Sequence, residues 1–364
     1  MVKSVISAIT TIGGAIAGSS ANTGFGGIFR IASAIYTAID SLTNKQNSAV
    51  NKAVSPTYTF GKLQTQVSNL IPRPIVYGRV KIAGNKIWQT GENTSTIQQI
   101  VCLCDGEINN ISDVRLNDIP ISQLPGCSYT AYNGNGTQEI DARVPGATQS
   151  DKAAKVGGLK YDAYLAITAQ ASKELNSSGF NVTCVVDGKN IRVYNNVNSY
   201  SVQYSNNPAW CILDFLTCYN GMGLSHDEID IQSFIDAANY CDVVVDGLPR
   251  FTLNIALDVQ QSRLDWLNAM LLVCRGYLLY QEGKIYLKID DAGGSVQSFN
   301  SSNIVAGSER FWTTPRENKY DVVKVQFIDP ENEYARVYAV AELPVYGNEQ
   351  PLVKTVEAFG ITNF

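Results

Sequence analysis

The sequence NNPAWCILDFLT at residues 206–217, followed by CYNGMGL at 218–224, is the most informative part of the chain. It predicts a short buried helix with a defined start. Asn207 can accept a hydrogen bond from a free helical N–H, and Pro208 at the first helical position has no N–H that needs a partner. The segment therefore begins as a capped helix.

The same segment predicts one buried face and a defined end. Gly221 and Gly223 can adopt the positive φ that ends a helix. Apolar residues recur at steps of three and four, which places them on one face of a helix. That face is formed by Trp210, Leu213 and either Leu216 or Thr217.

Length and composition indicate a β-rich globular protein. A chain of 364 residues is long enough for two or three domains. Hydrophobic residues make up 45% and charged residues 17%, with 19 tyrosines, which favours β structure and large protein–protein contacts. The net charge is −5 and no basic block is present, so we predict no specific nucleic-acid binding.

The eight cysteines and the single histidine do not form a recognisable metal motif. Cys102 and Cys104 are two apart on a predicted strand and would share a face, but the sequence nominates no further ligands for a metal or iron–sulfur site. Buried free thiols are the favoured interpretation, and a metal site at this pair stays open. We predict no cofactor and no metal, and folding in a reducing cytoplasm.

Residues 1–54 form a predicted apolar helical leader followed by a linker. Residues 1–17 are too short and are followed by residues too polar for a membrane-spanning helix. The pattern over 28–42 predicts an amphipathic helix. We expect it to pack against a partner subunit; membrane contact of this N-terminal segment and a cleaved signal peptide are the alternatives.

From residue 58 onward the pattern predicts short strands separated by turns. Residues 75–84 predict a strand, a break at Gly78 and a second strand. Asp187-Gly188 lies between two apolar runs and predicts a hairpin turn. Helices are predicted at 230–240 and 262–275, and hairpins around Glu282-Gly283 and around 329–332. The fold class is therefore a β-rich, multidomain α+β protein.

We find no sequence motif that predicts catalysis. His226 with Asp227 or Asp230 could act as an acid–base group, and Asp290-Asp291 could supply the paired carboxylates of a glycan hydrolase. All lie at positions typical of polar turns, so we predict that the protein is not an enzyme.

Several segments resemble one family in the same order. The 206–224 segment resembles the Asn-Pro-Ala-Trp…Asp-Leu-Leu-Thr…Tyr-Gly-Leu-Gly signature of the tail-tip attachment (host-specificity) proteins, or central baseplate hubs, of lambda-like long-tailed phages. Residues 73–84 resemble the Pro-x-x-Tyr-Gly-x-x-Arg-Val-x-Gly segment of that family, although Arg79 here directly follows Gly78. Segments 104–108, 263–287 and 357–363 are also similar. The matching motif residues are Tyr77, Gly78, Gly84, Gly106, Asn207, Pro208, Trp210, Leu213, Gly221 and Gly223.

The resemblance implies a structural virion protein at the tip of a phage tail. It implies a homotrimeric hub with two tail-tube-like β-barrels per subunit, which closes the tail tube and opens for release of the tape measure protein and DNA at infection. The implied partners are the distal tail ring protein, the tape measure protein, other tail-tip proteins and a fibre or receptor-binding protein. Assembly would take place in the host cytoplasm.

On this basis we expect five segments. They are the leader and linker at 1–54, a first tube-like hub domain at 55–123 plus 205–246, a small inserted β domain at 124–204, a second tube-like hub domain at 247–345, and a C-terminal segment at 346–364 that leads into a downstream region absent here.

The sequence departs from the family by ending at Phe364, before the fibronectin-like and fibre regions. We expect either a shortened chain or receptor binding on another polypeptide. Two other functions stay open: a tail-associated cell-wall hydrolase, and a secreted bacterial adhesin.

Overall fold

The computed structural model describes residues 57, 63–68, 70–91, 95–144, 157–175, 179–291, 297–310, 312–313, 320–342 and 350–362. The predicted leader and linker at 1–54 lie outside the described residues. The described chain divides into two compact units. The first unit runs to residue 214 and includes 251–262, and the second contains 215–250 and the residues from 263 onward.

The secondary structure is dominated by strands. The strands are β1 (Ile75–Tyr77), β2 (Arg79–Ala83), β3 (Asn85–Thr90), β4 (Thr96–Asp105), β5 (Ile108–Leu116), β6 (Ile119–Pro120), β7 (Ser128–Asn133), β8 (Asp162–Gln170), β9 (Val182–Asn196), β10 (Ser199–Tyr204), β11 (Val244–Val245), β12 (Leu248–Pro249), β13 (Ile255–Leu257), β14 (Gly276–Gln281), β15 (Lys284–Ile289), β16 (Val322–Asp329), β17 (Ala335–Glu342) and β18 (Val353–Glu357). The α-helices are α1 (Pro208–Thr217), α2 (Ile231–Asp242) and α3 (Arg263–Val273). The predicted β-rich α+β class is confirmed.

The first unit is built on two sheets that share one apolar core. One sheet has the order β10-β9-β5-β6, with β2 also paired to β9, and the other has the order β3-β4-β8-β7. Alternate residues of both sheets point into the core, for example Val186 of β9 and Val101 of β4. Full burial of one such side chain stabilises the fold by about 1.5–3 kcal/mol.

The sheets are open, which differs from the predicted tube-like barrels. Within the residues that the structure describes, no sheet closes on itself, because its two edge strands do not hydrogen-bond to each other. The pattern in the sequence predicts that strands are present, but closure depends on the stagger between strands that are distant in sequence.

The segment predicted as an inserted domain contributes to the same two sheets. β8 pairs with β4, and β9 pairs with both β2 and β5, all antiparallel. The 124–204 segment therefore completes the sheets begun by 75–116, in place of a small domain of its own.

The prediction of a turn at Asp187-Gly188 is wrong, because β9 continues through both residues. A Cβ on Gly188 would lie 2.3 Å from the carbonyl oxygen of Val76. A glycine is thus required because another segment of backbone approaches closely. Such an approach is a common reason for glycine inside a strand.

The second unit contains α2, α3, the β14–β15 hairpin and a three-stranded sheet. Asp230 caps α2 by accepting a hydrogen bond from Ser233 N at 2.9 Å, and the Ser233 hydroxyl accepts one from Leu287 N of β15 at 3.1 Å. Glu282 and Gly283 both have positive φ in the hairpin turn, as predicted. The third element is the sheet β17-β16-β18, in which β18 runs parallel to β16. In the described part of the chain, no helix is long and apolar enough to cross a membrane.

Candidate functional site

The helix α1 begins with the predicted cap. Asn207 Oδ1 accepts a hydrogen bond from Ala209 N at 3.0 Å, and the Asn207 carbonyl accepts the first helical bond from Cys211 N at 3.2 Å. Pro208 occupies the first helical position. A cap of this kind contributes about 1 kcal/mol.

The buried face of α1 packs on the β9–β10 pair through aromatic rings. The Trp210 ring lies 6.0 Å from the Tyr194 ring, centre to centre, and the Tyr194 ring lies 5.2 Å from that of Tyr200. Trp210 and Leu213 are both buried. These tilted contacts add modestly to the stabilisation that burial supplies.

The two glycines after α1 have different roles. Gly223 has a φ of +68°, as the sequence predicts for a helix stop. Gly221 is not among the residues with positive φ; a Cβ there would lie 1.9 Å from the Phe215 carbonyl oxygen. That carbonyl accepts a hydrogen bond from Met222 N at 2.8 Å, so Gly221 permits the chain to fold back tightly on the helix end.

A polar cluster joins β1, β9 and α1. The hydroxyl of Tyr77 donates a 2.6 Å hydrogen bond to Asp214 Oδ2, and the Lys189 ammonium donates a 2.7 Å bond to the same oxygen. Tyr77 is fully buried, and Lys189 and Asp214 are largely buried. A charged acceptor strengthens both bonds, and losing it would leave a buried hydroxyl without this partner.

Backbone contacts at Gly78 lie next to this cluster. Gly78 has a φ of +69°, and a Cβ there would lie 2.1 Å from the Leu253 carbonyl oxygen. Its own carbonyl accepts a hydrogen bond from Gly188 N at 2.8 Å, and Arg79 N donates to Asn254 Oδ1 at 2.7 Å. We call Tyr77, Gly78, Gly188, Lys189, Asp214 and Asn254 the glycine junction.

The structure brings part of the predicted set together. Tyr77 and Gly78 belong to the glycine junction, and the capped helix that contains Asn207, Pro208, Trp210 and Leu213 supplies its Asp214. Gly84 lies elsewhere, where a Cβ would come within 2.4 Å of Val101. Gly106 has a φ of +81° with open space around it. The role of these ten residues as family-motif residues stays a prediction.

Sequence reasoning missed four members of the junction, Gly188, Lys189, Asp214 and Asn254. The sequence places Gly188 in a turn and Asp214 in a helix with no predicted partner. Lys189 and Asn254 carry no local motif, because they become neighbours of Tyr77 and Gly78 only through long-range strand pairing. The Asp187-Gly188-Lys189 spacing could have indicated them if the strand had been extended through the glycine.

One of the candidate catalytic carboxylates, Asp230, serves as a helix cap. Glu228 accepts a hydrogen bond from Ser225 N at 2.9 Å in a capping box around the short 3-10 helix His226–Glu228, and Asp230 caps α2. Asp290 and Asp291 follow the end of β15. The structure thus gives Glu228 and Asp230 local structural roles.

All eight cysteines are free thiols, six of them buried. A β-bulge between Cys102 and Cys104 breaks the strand alternation, so Cys104 lies in the main core cluster and Cys102 does not. Burial raises the pKa of Cys102 to about 12 and that of Cys104 well above its ordinary value. A thiol that stays protonated is a poor ligand. Among the residues that the structure describes, no group of three potential ligands could hold a metal ion.

An ion-pair cluster not anticipated from the sequence lies beside Cys102. Arg73 contacts Asp162 at 2.5 Å and Asp105 at 3.3 Å. Burial raises the pKa of Asp162, the Arg73 charge lowers it, and the neighbouring Asp105 charge raises it further. The net direction is upward, so this carboxyl binds a proton more readily than an exposed aspartate.

Comparison with known proteins gives a likeness in fold. No protein-family model matches the chain. The structure is similar to a chain in the virion of a native gene transfer agent (GTA) particle, with a TM-score of 0.52 and 14% identity, over 94% of this chain and 82% of that chain. At this identity the similarity establishes a shared fold, which covers most of both chains.

Proposed function

We propose that the chain is a structural virion protein of a phage-like particle, and more specifically a homotrimeric hub at the tip of the tail. In this role it closes the tail tube and links it to the receptor-binding or fibre parts. It opens for passage of the tape measure protein and DNA.

The observation that carries the proposal is the fold similarity to a virion chain over 94% of this chain. A chance resemblance limited to one sheet would not extend over both units. The motif segments occur in the same order as in the tail-tip family, from residue 73 to residue 363. This sequence resemblance favours the tail tip over other virion positions.

The site's construction agrees with an architectural role. The motif residues in the described chain serve as caps, tight backbone crossings and buried anchors, such as Asn207, Gly78 and Trp210. Their chemistry fixes a helix and strands in place. The proposed partners are the distal tail ring protein, the tape measure protein and a fibre or receptor-binding protein.

The test is to label the protein in the particle that encodes it. An epitope tag on the chain should be found by immunogold electron microscopy at the tail tip, and deletion of the gene should yield particles without a finished tail. Label on the capsid, or particles that assemble normally without the chain, would refute the proposal.

Two further measurements separate the alternatives. A cell-wall hydrolase would clear a peptidoglycan zymogram, whereas a hub alone leaves the gel unchanged. A secreted adhesin would lack its first ~17 residues, which N-terminal sequencing of the mature protein would reveal.

A further inference from the structure

The β11–β12 hairpin is an exposed apolar arm on the second unit. Its turn at Asp246-Gly247 has positive φ at both residues, which is typical of a tight two-residue hairpin. Four aliphatic side chains are exposed along the arm, Val244 at 67% and Leu248 at 49%, together with Val243 and Val245. A two-stranded hairpin gains little stability by itself in water, so such a surface indicates a partner.

The base of the arm is held in place. Arg250 N donates a 2.9 Å hydrogen bond to the Val243 carbonyl, and its guanidinium lies 4.1 Å from the centre of the Tyr240 ring. The Tyr240 hydroxyl accepts a hydrogen bond from Arg275 at 3.1 Å. The arm is therefore an ordered projection on a fixed base.

A complementary surface lies on the first unit along β10. β10 is an edge strand of its sheet, and no other described strand pairs with its outer side. Its sequence SYSVQY contains no charge and no proline, the residues that usually protect an edge from strand addition. Tyr200 is 46% exposed and Val202 63% exposed, so the edge is also apolar.

The two surfaces match in charge as well as in hydrophobicity. Arg192 lies opposite Val202 in the strand register, and its guanidinium stacks 4.6 Å from the Tyr200 ring. The arm carries one acidic residue, Asp246, at its turn. β12 contains Pro249, which has no N–H to donate, so β11 is the strand of the arm that can add to another edge.

We infer that the β11–β12 arm of one copy of this chain docks on the β10 edge of a second copy, with β11 adding to β10 and the acidic tip beside Arg192. The inference rests on the homo-oligomer in the proposed function and specifies which surfaces form it. Because arm and edge are different surfaces, each copy offers one of each, so the contacts can close into a ring.

Cross-linking of the full chain tests the contact. Val245→Cys and Val202→Cys variants, carrying different tags, are coexpressed and treated with a short thiol cross-linker. We expect a covalent product that contains both tags. The control pairs Val202→Cys with Val305→Cys, since Val305 at 63% is more exposed than Val245 at 46% but lies outside the arm, and it should give no product.

A second variant keeps the test independent of cysteine geometry. Val244→Lys places a charge on an already exposed position of the arm, so the fold should be retained. The dissociation constant of the oligomer, measured by analytical ultracentrifugation, should rise at least tenfold, with no change for Val305→Lys.

Each other outcome overturns the inference. An oligomer without the mixed-tag product would refute this contact while leaving the proposed assembly intact, and equal cross-linking of the control would show non-specific proximity. A chain that stays monomeric at every concentration would also refute the contact, and tail-tip labelling would then decide the proposed function separately. A chain that carries both Val202→Cys and Val245→Cys gives one more outcome: a cross-link formed within that chain would show that the arm docks on its own β10.

Discussion

Strands β4 and β8 of the first unit and the β17-β16-β18 sheet of the second differ both in sequence pattern and in burial. β4 and β8 are almost completely buried, whereas β17 is mostly exposed and β16 only partly buried. In the second sheet Val323, Val325 and Phe327 lie on one face, opposite Ala341, Ala339 and Val337, and none of them is fully buried. β4 and β8 contain continuous apolar runs at 100–104 and 163–167 and are buried on both faces, whereas the alternating β16 buries its apolar face only in part. Alternation specifies a face, and a second layer is needed to bury it.

The largest effect should come from a glycine that is fixed by its neighbours. Gly188→Ala places a Cβ 2.3 Å from the Val76 carbonyl oxygen, so the strands must move apart. The free energy of unfolding of the first unit should fall by about 3 kcal/mol or more. Its control, Gly283→Ala in the second unit, meets open space and only the strain of positive φ, about 1–2 kcal/mol. Urea unfolding measures both. Equal losses would mean that the crossing at Gly188 is not tight.

Removing the shared acceptor of the glycine junction should have the next largest effect. Asp214→Ala leaves the Tyr77 hydroxyl without this bond and Lys189 without its ion pair, which costs about 2–3 kcal/mol after allowance for partial exposure. Hydrogen exchange resolved by unit should place the loss in the first unit. Asp214→Asn, which can still accept from Tyr77, should cost less. A larger loss from Asn than from Ala would contradict this account.

A matched valine pair tests the comparison directly. Val101→Ala removes two methyl groups from a fully buried site, and we expect a loss of about 2 kcal/mol. Val325→Ala makes the same change on the partly exposed β16 and should cost less than about 1 kcal/mol in the isolated chain. Thermal unfolding gives the first comparison. An equal loss of stability in the two variants would contradict the difference in burial between Val101 and Val325.

The smallest effect concerns pH. Because the folded-state pKa of Asp162 is raised above its ordinary 3.8, the folded protein holds a proton that the unfolded chain releases over the pH range just above that value. Its contribution to stability is therefore present at low pH and is lost as pH rises through the folded-state pKa. The Asp162→Asn variant should have a flatter profile of unfolding free energy against pH in that range, as measured by urea unfolding at a series of pH values.

Much of the local structure could be predicted from the sequence, and the long-range contacts could not. The cap at Asn207, the helix end at Gly223 and the turn at Glu282-Gly283 depend on residues within a few positions of each other. Strand closure and the reason for Gly188 depend on segments over a hundred residues apart. A single sequence gives no measure of such distances, which is why the barrels and the inserted domain were predicted and open, shared sheets were found.

The pairing of β1 with β13 has a consequence for how the chain is made. Ile75 lies opposite Leu257, so β1 cannot pair with β13 until residues 255–257 have been synthesised. At about 5–20 residues per second, translation of the intervening stretch takes roughly 10–40 s. During that time β1 has an open edge, and part of the second unit has already left the ribosome. The first unit therefore completes its fold after synthesis of the second has begun, and a chain cut before residue 255 should be retained by chaperones.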